Sequence, residues 1–465
     1  MRQRACGILH TIICVTVLIA GSVADAQPIS GSARHAGMAF SSDALLHGVD
    51  AIGVNPSLIT RPHGSMVSIA IAPFGLRAGT DFLEYDSYKR YFTGVPSSAG
   101  RIPYHLSEAD KAVLLRSFDG ATGRIGAGIS MHLFAATLRT PAGSFGISMS
   151  DRVLNEAVLP RDYADFLLNG NPPGRTFDFS ETRLLSTWHR EYGLTYALDI
   201  VKQNRRGISV SIGATVKLLQ GFGYFGVERF NSRFTTDPDS FVVSGHAGVL
   251  ARHAGAGLVD GSSIVFPSLF PSPSGTGVGL DVGAVLGVGD AGRFGLAISD
   301  LGSISWSRGA RENRADEDFR ITDLTDDTQV QDIIDRINGT ERSIESFSTT
   351  LPAAITVSGA WTFGANRRNP GQGVQLAASV RTGLTSTYAS VRGVRASLGA
   401  DWRIVRAFSV RGGASFGGLL GAVYGVGLGL HMGPLTLDLA TNHIQSLFSS
   451  TFSTISFAAG LRLDL

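Results

Sequence analysis

Two runs have the spacing of chemical motifs. Gly413-Ala414-Ser415-Phe416-Gly417 fits the G-x-S-x-G pattern of a nucleophilic serine, and Gly221-Phe222-Gly223-Tyr224-Phe225-Gly226 fits the G-x-G-x-x-G dinucleotide fingerprint. The first works only on a sharp strand-to-helix turn, the second only where a helix N-terminus follows to hold a pyrophosphate. Neither run precedes a helical pattern, so neither chemistry is expected. His35, His47 and His63 lie twelve and sixteen residues apart. They lack the i, i+3 or i, i+4 spacing of a metal-binding pair, and hydrogen bonding is their expected role. Residues 311–345 carry eleven acidic and five basic side chains, without the D-x-D-x-D-G order of a calcium loop; they read as a solvated loop. With no Ser/His/Asp set and no paired carboxylates, the chain is expected to be no enzyme and to need neither cofactor nor metal.

A third group of charges has a different setting. Arg395, Asp401, Arg403, Asp438 and Arg462 interrupt otherwise apolar alternating segments. They could line a permeation path; a structural ion-pair lattice is the favoured role.

The segments that carry these charges alternate with period 2. From 207 to 219, Ile208, Val210, Ile212, Ala214, Val216 and Leu218 share one face, opposite Ser209, Ser211, Gly213, Thr215 and Lys217. From 393 to 404, Val394, Ala396, Leu398, Ala400, Trp402 and Ile404 oppose Arg395, Ser397, Gly399, Asp401 and Arg403. Runs of ten or more exceed the five or six residues of sandwich strands and suit tilted strands that cross a membrane. Residues 412–437 hold no charge, yet nine of the 26 are glycine, and glycine costs a helix about 1 kcal/mol each against alanine. As a strand, Leu420, Ala422, Tyr424, Val426, Leu428 and Leu430 face one way and Gly421, Val423, Gly425, Gly427 and Gly429 the other. Tyr192, Trp306, Trp361, Trp402, Tyr424 and Phe457 are expected in the aromatic girdles of a barrel.

Composition agrees. Glycine is 58 of 465 residues, hydrophobic residues are 43%, charged residues 17%, and the formal charge is +2. No charge excess prevents collapse or advertises a nucleic-acid surface. Short turns are expected near 138–142, 202–206, 288–292, 365–372, 405–406 and 432–434. Longer connections are expected near 74–121, 151–190, 221–277, 307–350, 385–392, 418–420 and 444–452. Thirteen connections give fourteen strands, and the even count returns both ends to one side. The expected fold is an all-β transmembrane antiparallel barrel over 64–465, with short extracellular helices at 106–118, at 160–168 and from Asp326 to Asn338.

The first 26 residues read as a secretory signal: Arg2 and Arg4, an apolar stretch from Ile8 to Ala20, and Ala24-Asp25-Ala26 before Gln27. The apolar stretch is shorter than the ~20 residues of a membrane anchor. Cys6 and Cys14 both fall inside it, so the mature chain would lack thiol chemistry. Export leads here to the bacterial outer membrane, with lipid and lipopolysaccharide around the wall and barrel-assembly machinery as a partner.

Residues 27–63 are too apolar for a linker and too irregular for strands, and a place inside the barrel as a hatch is expected. The run GVDAIGVNPSLI from Gly48 to Ile59, ahead of a fourteen-strand pattern, resembles the long-chain fatty-acid and hydrocarbon transporters of the outer membrane. Trp188–Ile200, Gly213–Tyr224 and Gly279–Trp306 resemble a branch related to them. The resemblance implies a lumenal hatch whose Asn-Pro-Ala motif falls on Asn55, Pro56 and Ser57, the serine replacing alanine. It also implies passive passage of a hydrophobic small molecule past the hatch or through a gap in the wall. Phe40, Leu45, Leu46, Gly425 and Gly427 are the candidate ligand or hatch contacts. The alternative is a non-transporting barrel that serves a secretion or envelope-assembly partner.

Overall fold

The structure is a computed structural model that describes residues 31–465 except 62–64, 99, 119, 204–206, 256–258, 261–262, 265–269, 324–325, 365–372, 386–392 and 419–420. The expected signal segment, with Cys6 and Cys14, and His63 lie outside the described residues. Fourteen antiparallel strands close one barrel. They are β1 Val67–Thr80, β2 Thr122–Thr140, β3 Gly143–Pro160, β4 Arg183–Val201, β5 Ile208–Thr236, β6 Gly275–Val288 and β7 Gly292–Trp306, then β8 Ala354–Phe363, β9 Gly373–Gly383, β10 Val394–Val405, β11 Phe408–Gly417, β12 Ala422–Met432, β13 Leu435–Thr441 and β14 Thr454–Asp464. Each pairs with its chain neighbour, and β1 pairs with β14, Ile69 opposite Leu463 and Leu76 opposite Phe457. Closure removes the sheet edge, which a membrane would not tolerate. The fourteen strands are those the alternation predicts.

Alternation sets the two faces of the wall. On β5, Val216 and Leu218 are 55% and 61% exposed, whereas Thr215 and Lys217 are 1% and 3% exposed. On β10, Leu398 and Trp402 point out while Arg395, Ser397 and Asp401 are buried; on β12, Tyr424 and Leu428 point out while Val423 is buried. Exposed apolar side chains around the whole wall form the lipid-facing band of a transmembrane barrel. No helix among the described residues is long and apolar enough to cross a membrane.

Trp361, Trp402, Tyr424 and Phe457 are exposed on that outer face. Trp306 corrects the sequence expectation: it is fully buried, packs with Leu219, Tyr224 and Phe347, and donates its Nε1–H to Thr349 Oγ1 at 2.9 Å. The strands before it also run further than expected, β3 to Pro160, β4 from Arg183 and β5 to Thr236. There Trp188, His189, Arg190 and Glu191 are buried in succession, so both faces are covered and the period-2 signal vanishes. The outer end of β5 pairs with residues Val243–Gly255, which pair with Arg311–Ile321 and through them with Thr340–Ser343.

Helices decorate the long connections: α2 Tyr85–Phe92, α3 Glu108–Arg116, α4 Arg161–Asn169, α5 Asp327–Asn338 and α6 Gln445–Phe448, after α1 Ala33–Gly37 ahead of the wall. Ser107 and Asp110 form a capping box on α3. The Ser107 hydroxyl and backbone N–H both donate to the Asp110 carboxylate, at 2.6 and 3.0 Å, and hold it below the ordinary carboxylate range.

Residues 31–61 thread the lumen as α1 and three 3-10 turns, Ser42–Ala44, Gly48–Ala51 and Pro56–Thr60. All fourteen strands turn a glycine or alanine toward this segment. Ala70, Ala135 and Ala197 pack with Leu46, Ile52 and Leu58; Ala360 and Ala377 with Met38 and Leu45; Ala440 and Ala458 with Ala33 and Ala36. On the remaining strands Gly213, Gly283, Gly295, Gly399, Gly413 and Gly425 leave space that a Cβ would take from the segment, and Gly146 faces Ile52, whose Cδ1 would lie 3.6 Å from an added Cβ. A Cβ on Gly213 would come 2.7 Å from the Pro56 carbonyl carbon and the Ser57 nitrogen. Gly213→Leu is therefore expected to destabilise the folded barrel by about 1–3 kcal/mol, read as a lower temperature for loss of the folded band on unheated gels. Gly412→Ala, whose Cβ would have 3.9 Å of clearance, should leave that temperature unchanged.

Candidate functional site

The Asn55-Pro56-Ser57 turn is built locally before it meets the wall. Asn55 is extended and caps the turn, its Oδ1 accepting from Ser57 N–H at 3.1 Å and from Ser57 Oγ–H at 2.7 Å. Pro56 stands at the first helical position, where its missing N–H costs nothing. The Ser57 hydroxyl thus has a partner inside the motif that an alanine would lack. The wall receives the turn on Gly213, Gly283 and Gly295 of adjacent strands β5, β6 and β7, and a Cβ on Gly283 would overlap the Asn55 side chain.

Near the rim of short turns, charges tie the segment to the wall. Arg34 of α1 donates Nε–H to Asp401 Oδ2 at 3.0 Å and Nη2–H to Gln375 Oε1 at 2.5 Å. Arg411 donates to the same Asp401 oxygen at 3.1 Å and to Asp438 Oδ1 at 2.6 Å. Arg462 is paired with Asp50 of the segment and with Asp464 at 2.9 Å. Asp401, Asp438 and Arg462 therefore belong to a lattice that includes the segment. Arg395 lies higher on β10, its guanidinium 4.5 Å from the Phe40 ring centre. Arg403 is half-buried on the same inward face and makes no ion pair among the described residues.

Leu45 and Leu46 are fully buried. Gly425 and Gly427 receive the backbone of α1 and the residues after it: a Cβ on Gly425 would stand 2.7 Å from Ala36 O, and one on Gly427 3.2 Å from Gly37 Cα. Phe40 has a left-handed backbone (φ 66°), follows Ala39 at φ 46°, and gives its carbonyl to Ser379 Oγ–H at 2.9 Å.

A second charge cluster, further from the short-turn rim, was not singled out from sequence. Lys217 of β5 reaches Asp300 at 2.6 Å, Asp281 at 2.9 Å and Glu191 at 3.4 Å; Arg152 of β3 reaches Glu191 at 3.0 Å and Asp300 at 3.2 Å. A bulge makes this possible. Between Leu280/Leu301 and Val282/Ile298 one residue of β6 faces two of β7, and Asp300 sits there at φ 59° with its N–H on Asp281 Oδ1 at 2.7 Å. Bulges re-aim side chains in this way, and left-handed non-glycine residues persist only where surroundings hold them. The available signal was the inward parity of Lys217, one of four lysines in the chain.

Between segment and cluster lies a cavity of about 70 Å3, lined in part by His35, Asp43, His132, Arg152, Asp300 and Arg381. It has room for several water molecules and a mixed polar lining. The wall beside it is interrupted: pairing of β1 with β2 runs to Ala70/Ala135 and resumes at Phe74/Met131. Ala72 at φ 44° and Pro73, which has no N–H, occupy the gap. Among the described residues no group of three or more His, Cys, Asp or Glu side chains could hold a metal.

A closed fourteen-strand wall around a lumenal segment defines a transmembrane β-barrel with an occluded bore. A family of unknown function, DUF5723, matches residues 68–442, and the chain belongs to that family. No curated protein matches. Solved structures similar to the chain include a Pseudomonas aeruginosa FadL homologue, 12% identical over 96% of this chain and 99% of that one, with a TM-score of 0.47. The P. putida toluene transporter TodX is 10% identical over 94% and 99%, at 0.43. The CymD monoaromatic hydrocarbon channel is 9% identical over 94% and 97%, at 0.44.

Asp401 is the shared partner of Arg34 and Arg411, and removing one member of a buried ion network leaves the others uncompensated. Asp401→Ala is expected to cost about 3–5 kcal/mol of stability and to raise ion conductance in planar bilayers as the segment loosens. Arg403→Gln should leave conductance at the level of the unaltered protein.

Proposed function

We propose that the protein is a passive outer-membrane channel for small hydrophobic molecules, with residues 31–61 as its plug. The observation that carries this reading is the interrupted β1–β2 seam beside a cavity at the plug's edge. A solute that reached the cavity from the long-loop side would meet, within the wall, a place where strand pairing is already absent. The cavity at rest is too small for an alkyl chain, so passage requires the plug to shift. The lipid-facing apolar band suits a solute that partitions into membrane. The surroundings would be lipid and lipopolysaccharide, and the wall would be inserted by barrel-assembly machinery.

The second reading, a non-transporting barrel for a secretion or envelope-assembly partner, draws on how completely the plug fills the lumen beside the Gly and Ala wall. Uptake of labelled alkanes, monoaromatics and fatty acids into liposomes separates the two. Because the expected mature chain has no cysteine, a disulfide from Ala36→Cys to Ala440→Cys, residues of one packed cluster, would lock plug to wall. Uptake above empty liposomes, blocked by the lock and restored by reductant, is the expected result. Uptake equal to that of empty liposomes selects the partner-binding barrel.

A further inference from the structure

We infer that the lumenal cavity is a binding site for a compact zwitterion, of which an α-amino acid the size of glycine is the simplest example. Two opposed groups motivate this. Asp43, on the lumenal segment, is 5% exposed, lines the cavity, and its Oδ2 has no hydrogen-bond partner among the described residues. Arg381, on β9, lines the same cavity, and no ion pair joins it to a carboxylate among the described residues; its guanidinium donates to the Thr356 and Ser299 hydroxyls, both at 3.3 Å. Arg395 stands directly opposite Arg381 in the β9–β10 register and also lines the cavity. Two like charges on facing positions destabilise a sheet unless something between or before them compensates.

Charge arithmetic selects the ligand. Among the described residues the carboxylates of the upper cluster and cavity are Glu191, Asp281, Asp300, Asp43 and Asp50; the cations are Arg152, Lys217, Arg381 and Arg395, with Arg462 paired to Asp50. With the Asp50–Arg462 pair included, five of each cancel, so a bare anion or a bare cation would leave one buried charge in excess, which is costly in a low-dielectric site. A molecule with both charges preserves the balance, its carboxylate toward the two arginines and its ammonium toward Asp43 Oδ2. A cavity of about 70 Å3 admits a few heavy atoms and excludes a long chain. The site does not depend on what crosses the membrane, and its test involves no transport.

The experiment is equilibrium dialysis of the full chain in detergent micelles against three labelled probes: glycine, acetate and methylammonium. Glycine is expected to bind at least tenfold more tightly than either half-molecule. Asp43→Asn and Arg381→Gln should each weaken glycine at least tenfold, with the folded band on unheated gels confirming that the barrel is intact. The comparison of probes on the unaltered protein stands if a variant fails to fold. Equal affinity for the three probes, binding of one half-molecule as tight as glycine, or no binding at all, in which case water alone fills the space, would overturn the assignment.

Discussion

The structure depends on a steric constraint. An irregular segment can occupy a membrane barrel only if its backbone approaches the wall closely enough to exclude voids and pair its polar groups. Here all fourteen strands meet that demand with a glycine or alanine at the height of residues 31–61. A single leucine in that ring would occupy the space of a peptide unit. The ring also explains why large apolar residues of the segment, Met38, Leu45, Leu46, Leu58 and Ile59, are among the most deeply buried of the chain: they supply the volume that the wall withholds. The barrel core is built from the inside, by the segment, rather than by side chains of the strands.

Much of this was legible in the alternation. Lys217 and Asp401 were placed on the inward face from their parity, and the strand count followed from where that parity broke. The bare face of 421–429 pointed to close backbone approach, but the equivalent Gly and Ala on other strands carry no local signal, because one small residue in a strand does not announce what it faces. The upper charge cluster was invisible for a different reason. Glu191, Arg152, Asp281 and Asp300 come from four separate strands, and only the register, with its bulge at Asp300, brings them within ion-pair distance. Trp306 was misplaced because Trp on a barrel strand usually marks the lipid boundary. Here the glycines at Gly221 and Gly275 open a pocket for its ring.

The two charge layers differ in what they hold. The lower one crosses from segment to wall through Arg34–Asp401 and Arg462–Asp50. The upper one, Arg152, Glu191, Lys217, Asp281 and Asp300, joins wall residue to wall residue, and among the described residues no member of the segment forms an ion pair with it. Moving the segment therefore requires breaking the lower layer while the upper layer still braces β3, β4, β5, β6 and β7 against one another. Buried ion pairs contribute little net stability but fix geometry strongly, since a lost partner is costly. No member of the upper layer lies on β1 or β2, so this brace does not span the seam between those two strands. An arrangement in which the brace and the latch share no residue permits the segment to shift without loss of the barrel's shape.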